Sequence, residues 1–112
     1  MNVVVEDFTD VRQASLAGKI NSLMAPELEK ALDEAIGGEP KHLIVNLQDV
    51  DYLSSAGVRS ILVIAKRLDK KQKKLAFVGA RELVAQVIRL TGVDSIFPLC
   101  ATTQEAREKL TA

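Results

Sequence analysis

Residues 42–62 read HLIVNLQDVDYLSSAGVRSIL. The stretch opens on an apolar run, His42–Leu47, that does not alternate with polar residues, which suits a strand covered on both faces. From Ala56 to about Lys70 the period changes. Val58, Ile61, Leu62, Ala65 and Leu68 recur at helical spacing, and Val63 and Ile64 widen the apolar face. A covered strand leading into an amphipathic helix is half of a crossover unit, so the next strand should lie parallel to the first. The joint between the two is Ser54-Ser55-Ala56-Gly57: two hydroxyls followed by two very small residues.

The rest of the chain extends the same plan. Upstream, Val3–Glu6 and Val11–Ala17 favour strand and are separated by Asp7-Phe8-Thr9-Asp10, which suggests an antiparallel hairpin. A helix is predicted from about Pro26 to Ile36, with Leu28, Ala31, Leu32, Ala35 and Ile36 on one face and Gly37-Gly38 at its end. Downstream, Lys74–Gly79 reads as a strand. Leu83, Val84, Val87 and Ile88 mark a third helix closed by Thr91-Gly92. Ile96–Cys100 is a brief final strand, and Thr102-x-x-Glu105 has the form of a capping box opening a last helix. The order is β-β-α-β-α-β-α-(β)-α. It predicts an α/β fold: a mixed sheet of four to five strands packed with about four helices. A chain of 112 residues fits one domain, residues 1–112, with a core that needs no staples.

Composition narrows the function classes. Fifteen basic residues balance fifteen acidic ones, so the basic excess that a phosphate backbone demands is missing. The opening Met1–Asp7 has no basic residue before its apolar run, unlike a secretory leader. No apolar run approaches the roughly 20 residues that span a bilayer. With a single cysteine, Cys100, the expectation is a soluble cytoplasmic protein. Cys100 reads as a small apolar filler and His42 as a strand-edge residue. One His and one Cys do not suggest a zinc site, and Ser55 lies in no Gly-x-Ser-x-Gly elbow, so neither a cofactor nor a catalytic centre is expected. The basic run Lys66–Lys74 falls near a helix C-terminus without interleaved aromatics, and reads as a solvated helix end and loop.

Two readings of the serine joint stand side by side. Ser54 or Ser55 can cap the helix that follows, since serine is among the best N-caps. Alternatively, a hydroxyl there is displayed to a visiting enzyme. Ala56 and Gly57 add little bulk beside it, glycine early in a helix is otherwise unfavourable, and a phosphate at a helix N-terminus meets free N–H groups.

The stretch DYLSSAGVRSIL, with LAGKINSLMAPELEKAL upstream and HLIVNLQDV before it, resembles the STAS family of anti-sigma factor antagonists over nearly the whole chain. In that family the joint usually reads Asp-Ser-Ser/Thr-Gly-Leu, and the serine after the aspartate is phosphorylated. Aligned on Gly57, the resemblance makes Ser55 the acceptor, with Ser54 in place of the aspartate, Ala56 in place of the second hydroxyl and Val58 in place of leucine. Gly18-Lys19-Ile20-Asn21 matches a family loop near the partner surface, where Asn21 replaces an aspartate. The resemblance implies a partner-binding surface of Asn21, Ser54, Ser55, Gly57, Val58 and Arg59. It implies an anti-sigma factor that is also a serine kinase as partner, and a serine phosphatase that resets the switch. It implies neither direct nucleic-acid binding nor membrane insertion. Small STAS proteins also serve other signalling complexes and lipid-transport ATPase complexes, which stays as an alternative. A phosphoaspartate receiver is a third: NVVVEDF resembles a receiver's first strand with its acidic pair Glu6-Asp7, and LIVNLQDVD the acceptor strand.

Overall fold

A computed structural model describes all 112 residues. Five strands form one sheet in the spatial order β1 (Asn2–Asp7), β2 (Val11–Ile20), β3 (His42–Leu53), β4 (Leu75–Val78), β5 (Leu99–Cys100). β1 is antiparallel to β2, and every later neighbour is parallel. The helices are α1 (Ala25–Ala35), α2 (Ser55–Lys70), α3 (Glu82–Thr91) and α4 (Thr103–Thr111). This is the predicted order. A strand follows Glu6-Asp7 where a receiver needs a helix, so the receiver alternative falls away.

Two cores flank the sheet. The larger holds Leu28 and Leu32 of α1, Ile61 and Leu68 of α2, Val84 and Ile88 of α3, and the facing strand residues Leu16, Leu43, Val45 and Phe77. The smaller holds Val11, Ile44, Ala76 and Cys100 under Ala106 and Leu110 of α4. Ile44 and Val45 therefore bury opposite faces of β3, which explains its unbroken apolar run. Cys100 is buried, and burial pushes its thiol above the ordinary value, with Glu105 adding to the effect.

Three boundaries differ from the sequence reading. β3 runs to Leu53 rather than Leu47. Beyond Asn46 it outreaches the short β4 and pairs with β2 alone, so Gln48, Asp49, Asp51 and Tyr52 face water while Val50 and Leu53 stay buried. β2 likewise continues to Ile20, through register shifts on either side of Ala17 and Gly18. The final strand shrinks to Leu99–Cys100, because Val93–Ser95 coils into a 3-10 turn. Two helix ends follow expectation. Gly92 closes α3 at φ 78°, where a side chain would strain. Thr102 Oγ1 accepts the Glu105 N–H at 3.1 Å, while the Glu105 carboxylate accepts the Ala101 N–H at 3.2 Å.

Candidate functional site

The joint between β3 and α2 sits at the C-terminal end of the parallel strands. Its first tie is a backbone bond: Ser54 N–H donates to Ile20 O at 2.9 Å, lacing the start of α2 to the end of β2. Ser54 is the N-cap, with its Oγ accepting the Gly57 N–H at 3.1 Å. Val58 N–H donates to Ser54 O at 3.1 Å and opens the helical ladder. Helix geometry then leaves the N–H groups of Ser55 and Ala56 without intrahelical partners, at the positive end of the dipole.

Three serines lie within two turns, and they have different fates. Ser54 is only 8% exposed and its oxygen is spent on the cap. Ser60 is 7% exposed and donates its hydroxyl proton to Ala25 O at 2.9 Å, clamping α2 to α1. Ser55, first residue of the helix, is exposed. Of the three, it alone offers its oxygen to solvent.

The six residues expected at the partner surface thus fall into two groups. Asn21, Ser55 and Arg59 are exposed. Ser55 and Arg59 are four residues apart and share one face of α2. Asn21 follows Ile20, and its side-chain oxygen accepts the N–H groups of Leu23 and Met24 at 3.0 and 3.2 Å, capping the 3-10 turn Ser22–Met24. Ser54, Gly57 and Val58 face inward, and Val58 belongs to the larger core. They shape the surface from below.

Gly57 owes its place to packing. A Cβ there would lie 2.8 Å from Leu53 Cδ1 and 3.3 Å from Ile20 Cγ2, both on fully buried side chains. The missing side chain lets α2 settle against the ends of β2 and β3; it does not clear the way for an incoming enzyme. Gly57→Ala should therefore destabilise the fold by about 1 kcal/mol in urea denaturation. Overpacking costs about 1–3 kcal/mol and outweighs the helix-propensity gain of at most about 1 kcal/mol.

Two surface residues at this end escaped the sequence reading. Leu23 is 88% exposed in the 3-10 turn, and Tyr52 is 50% exposed one residue before Leu53. Leu23 had no periodic pattern to stand out from, and Tyr52 sits where β3 was read as ended. Both add apolar area to the surface, and tyrosine is a residue type enriched among interface anchors. Nearby, Arg81 joins α3 to the end of β3 through Gln48 O at 2.9 Å and Asp51 at 2.6 Å. No set of three His, Cys, Asp or Glu side chains is grouped to hold a metal ion. No helix is long and apolar enough to cross a membrane.

The STAS domain family model matches residues 2–106. BtrV of Bordetella bronchiseptica is 32% identical over 106 residues, which cover 95% of this chain and 90% of BtrV. The anti-sigma-F factor antagonist RsfB of Mycobacterium tuberculosis is 27% identical, with 95% of this chain and 86% of RsfB covered. The crystal structure of an anti-sigma factor antagonist from Mycobacterium paratuberculosis superposes with a TM-score of 0.87 at 29% identity, covering 99% of this chain and 94% of that one.

Proposed function

Because the chain belongs to the STAS-domain family of anti-sigma factor antagonists, we propose that it is a partner switch whose setting is the phosphorylation state of Ser55. The unmodified form docks on an anti-sigma factor through Asn21, Leu23, Tyr52, Ser55 and Arg59, and docking frees a sigma factor. The anti-sigma factor is also the kinase. It moves the γ-phosphoryl group of ATP onto Ser55 Oγ, with ADP as leaving group and the hydroxyl proton passing to a base of the kinase. A separate phosphatase hydrolyses the ester and resets the switch.

The carrying observation is the exposure pattern at the joint, where Ser54 and Ser60 are sealed and engaged while Ser55 faces solvent. The replacement of the family's aspartate by Ser54 fits this reading. The residue at that position works as a cap, and serine caps about as well as aspartate. A phosphate on Ser55 would sit over the unpartnered N–H groups of the first turn, so the domain accepts it without refolding.

The test is to incubate the protein with a candidate anti-sigma factor kinase, ATP and magnesium, and to map the modified residue by mass spectrometry. Phosphate is expected on Ser55 alone. Ser55→Ala is expected to block incorporation and to keep partner binding. Phosphate on a different residue, or loss of binding in Ser55→Ala, would refute the assignment.

A further inference from the structure

The basic run at the end of α2 is largely exposed, and part of it borders a hollow. Lys66, Lys73 and Lys74 line a cavity of about 620 Å³ together with Lys109 from α4, some 35 residues further on (109 minus 74). Half of its twelve lining residues are hydrophobic, among them Ile96, Phe97 and Leu110. Ile96 is 68% exposed at its lip and extends the apolar lining to the surface. The depression has an apolar lining, a cationic rim and a single carboxylate, Asp69. Four cations against one anion stand out on a chain whose total charge is zero.

The helix dipole favours cations at the end of α2. The same effect favours Lys109 in the last turn of α4, so two helix C-termini bring their cations to one hollow. Lys109 is paired with Glu105 at 3.6 Å, but Lys66, Lys73 and Lys74 take part in none of the chain's ion pairs. The local field is felt nearby. His42 Nδ1 accepts the Lys74 N–H at 3.0 Å, and its imidazole is held below the ordinary value by burial first and by Lys73 and Lys74 next. A nucleic-acid backbone tracks a polar groove furnished with stacking aromatics. Here the cations ring an apolar hollow, with Phe97 as its one aromatic. The volume lies within the range of about 300–1,000 Å³ used by small-molecule sites.

We propose that this cavity binds an amphipathic anion of the fatty-acid type, with its chain against Phe97, Ile96 and Leu110 and its carboxylate among Lys66, Lys73 and Lys74. The site lies at the opposite end of α2 from Ser55 and does not depend on the phosphoswitch.

Dodecanoate, kept below its micellar concentration, is titrated into the full chain by calorimetry, and amide NMR shifts locate it. The expected result is saturable one-to-one binding, with shifts centred on residues 66–75 and 96–98. Lys66→Glu/Lys74→Glu should weaken it at least about tenfold, the change expected when attraction becomes repulsion. Lys30→Glu, on the exposed side of α1, should leave it unchanged. Thermal melting checks that the double variant folds, and Lys109→Gln, weakening binding by a smaller factor, carries the same test. Equal binding of dodecyltrimethylammonium would overturn the proposal, as would equal binding of acetate. So would insensitivity to charge reversal, or binding confined to anionic phospholipid vesicles or to an RNA oligomer.

Discussion

Arg12→Met is expected to lower the unfolding free energy by about 2 kcal/mol, because it strips the donor from a buried carbonyl, that of Ala35, which has no other partner in the chain. Arg12 leaves β2 on the side of α1 and is buried. Its Nη1 donates to Ala35 O at 3.0 Å and to Gly37 O at 3.2 Å. Its Nη2 donates to Glu39 O at 3.3 Å, and its Nε to Asp7 Oδ1 at 2.8 Å. The last carbonyls of a helix have no intrahelical donor. In α1 a guanidinium from a strand supplies one. Methionine keeps much of the bulk and none of the donors, so Ala35 O would be left buried and unpaired. Urea denaturation at neutral pH measures the loss.

The same variant should show a pH signature. The Arg12 guanidinium, and then the Lys41 ammonium, hold the Asp7 carboxyl below the usual carboxylate range. A depressed folded-state value stabilises the fold above the ordinary carboxylate range and loses that contribution as the pH falls through the folded value. The gap between the parent chain and Arg12→Met should therefore narrow in acid. A gap that stays constant to pH 3 would mean that Asp7 has no part in it.

Phosphorylation of Ser55 is expected to weaken binding to the anti-sigma factor about 100-fold, equivalent to about 2.8 kcal/mol. The phosphate brings a charge of about −1.5 to −2, which must shed water when the joint is covered by a partner. Within the free domain the sign reverses. A negative group at the first turn of α2 gains about 0.3–1 kcal/mol from the dipole. Phosphorylated chain, or Ser55→Glu as a weaker mimic, should thus melt at the same temperature or slightly higher while losing its partner in calorimetry. A large fall in melting temperature would show that the modification acts by unfolding the joint instead of by spoiling the interface.

The sequence was informative wherever a segment carried its own periodicity. The apolar faces of α1 and α2, the unbroken run in β3 and the Thr102–Glu105 cap are all local patterns. β3 beyond Asn46 was illegible because it has one covered neighbour there, so its polar residues resembled a loop. The serine joint could be located but not resolved. Which hydroxyl turns inward depends on the Ser54 N–H reaching Ile20 O, a contact between residues 34 apart along the chain (54 minus 20). Arg12 gave no signal at all, since its acceptors lie 23 to 27 residues away on the far side of a helix. The basic run was legible as a solvated helix end and loop, and most of its residues are exposed. What no local pattern shows is that Lys109 and Ile96 line the same hollow.

The strands lie in space in the order in which they occur along the chain. A growing polypeptide emerging from a ribosome would therefore find, at every stage, its pairing neighbour already made, and the exposed rim of the sheet would advance with translation. No strand has to be inserted between two others. α4 alone crosses to the other face, where it seals Val11, Ile44 and Ala76, so the second core closes only after the whole sheet has been laid down.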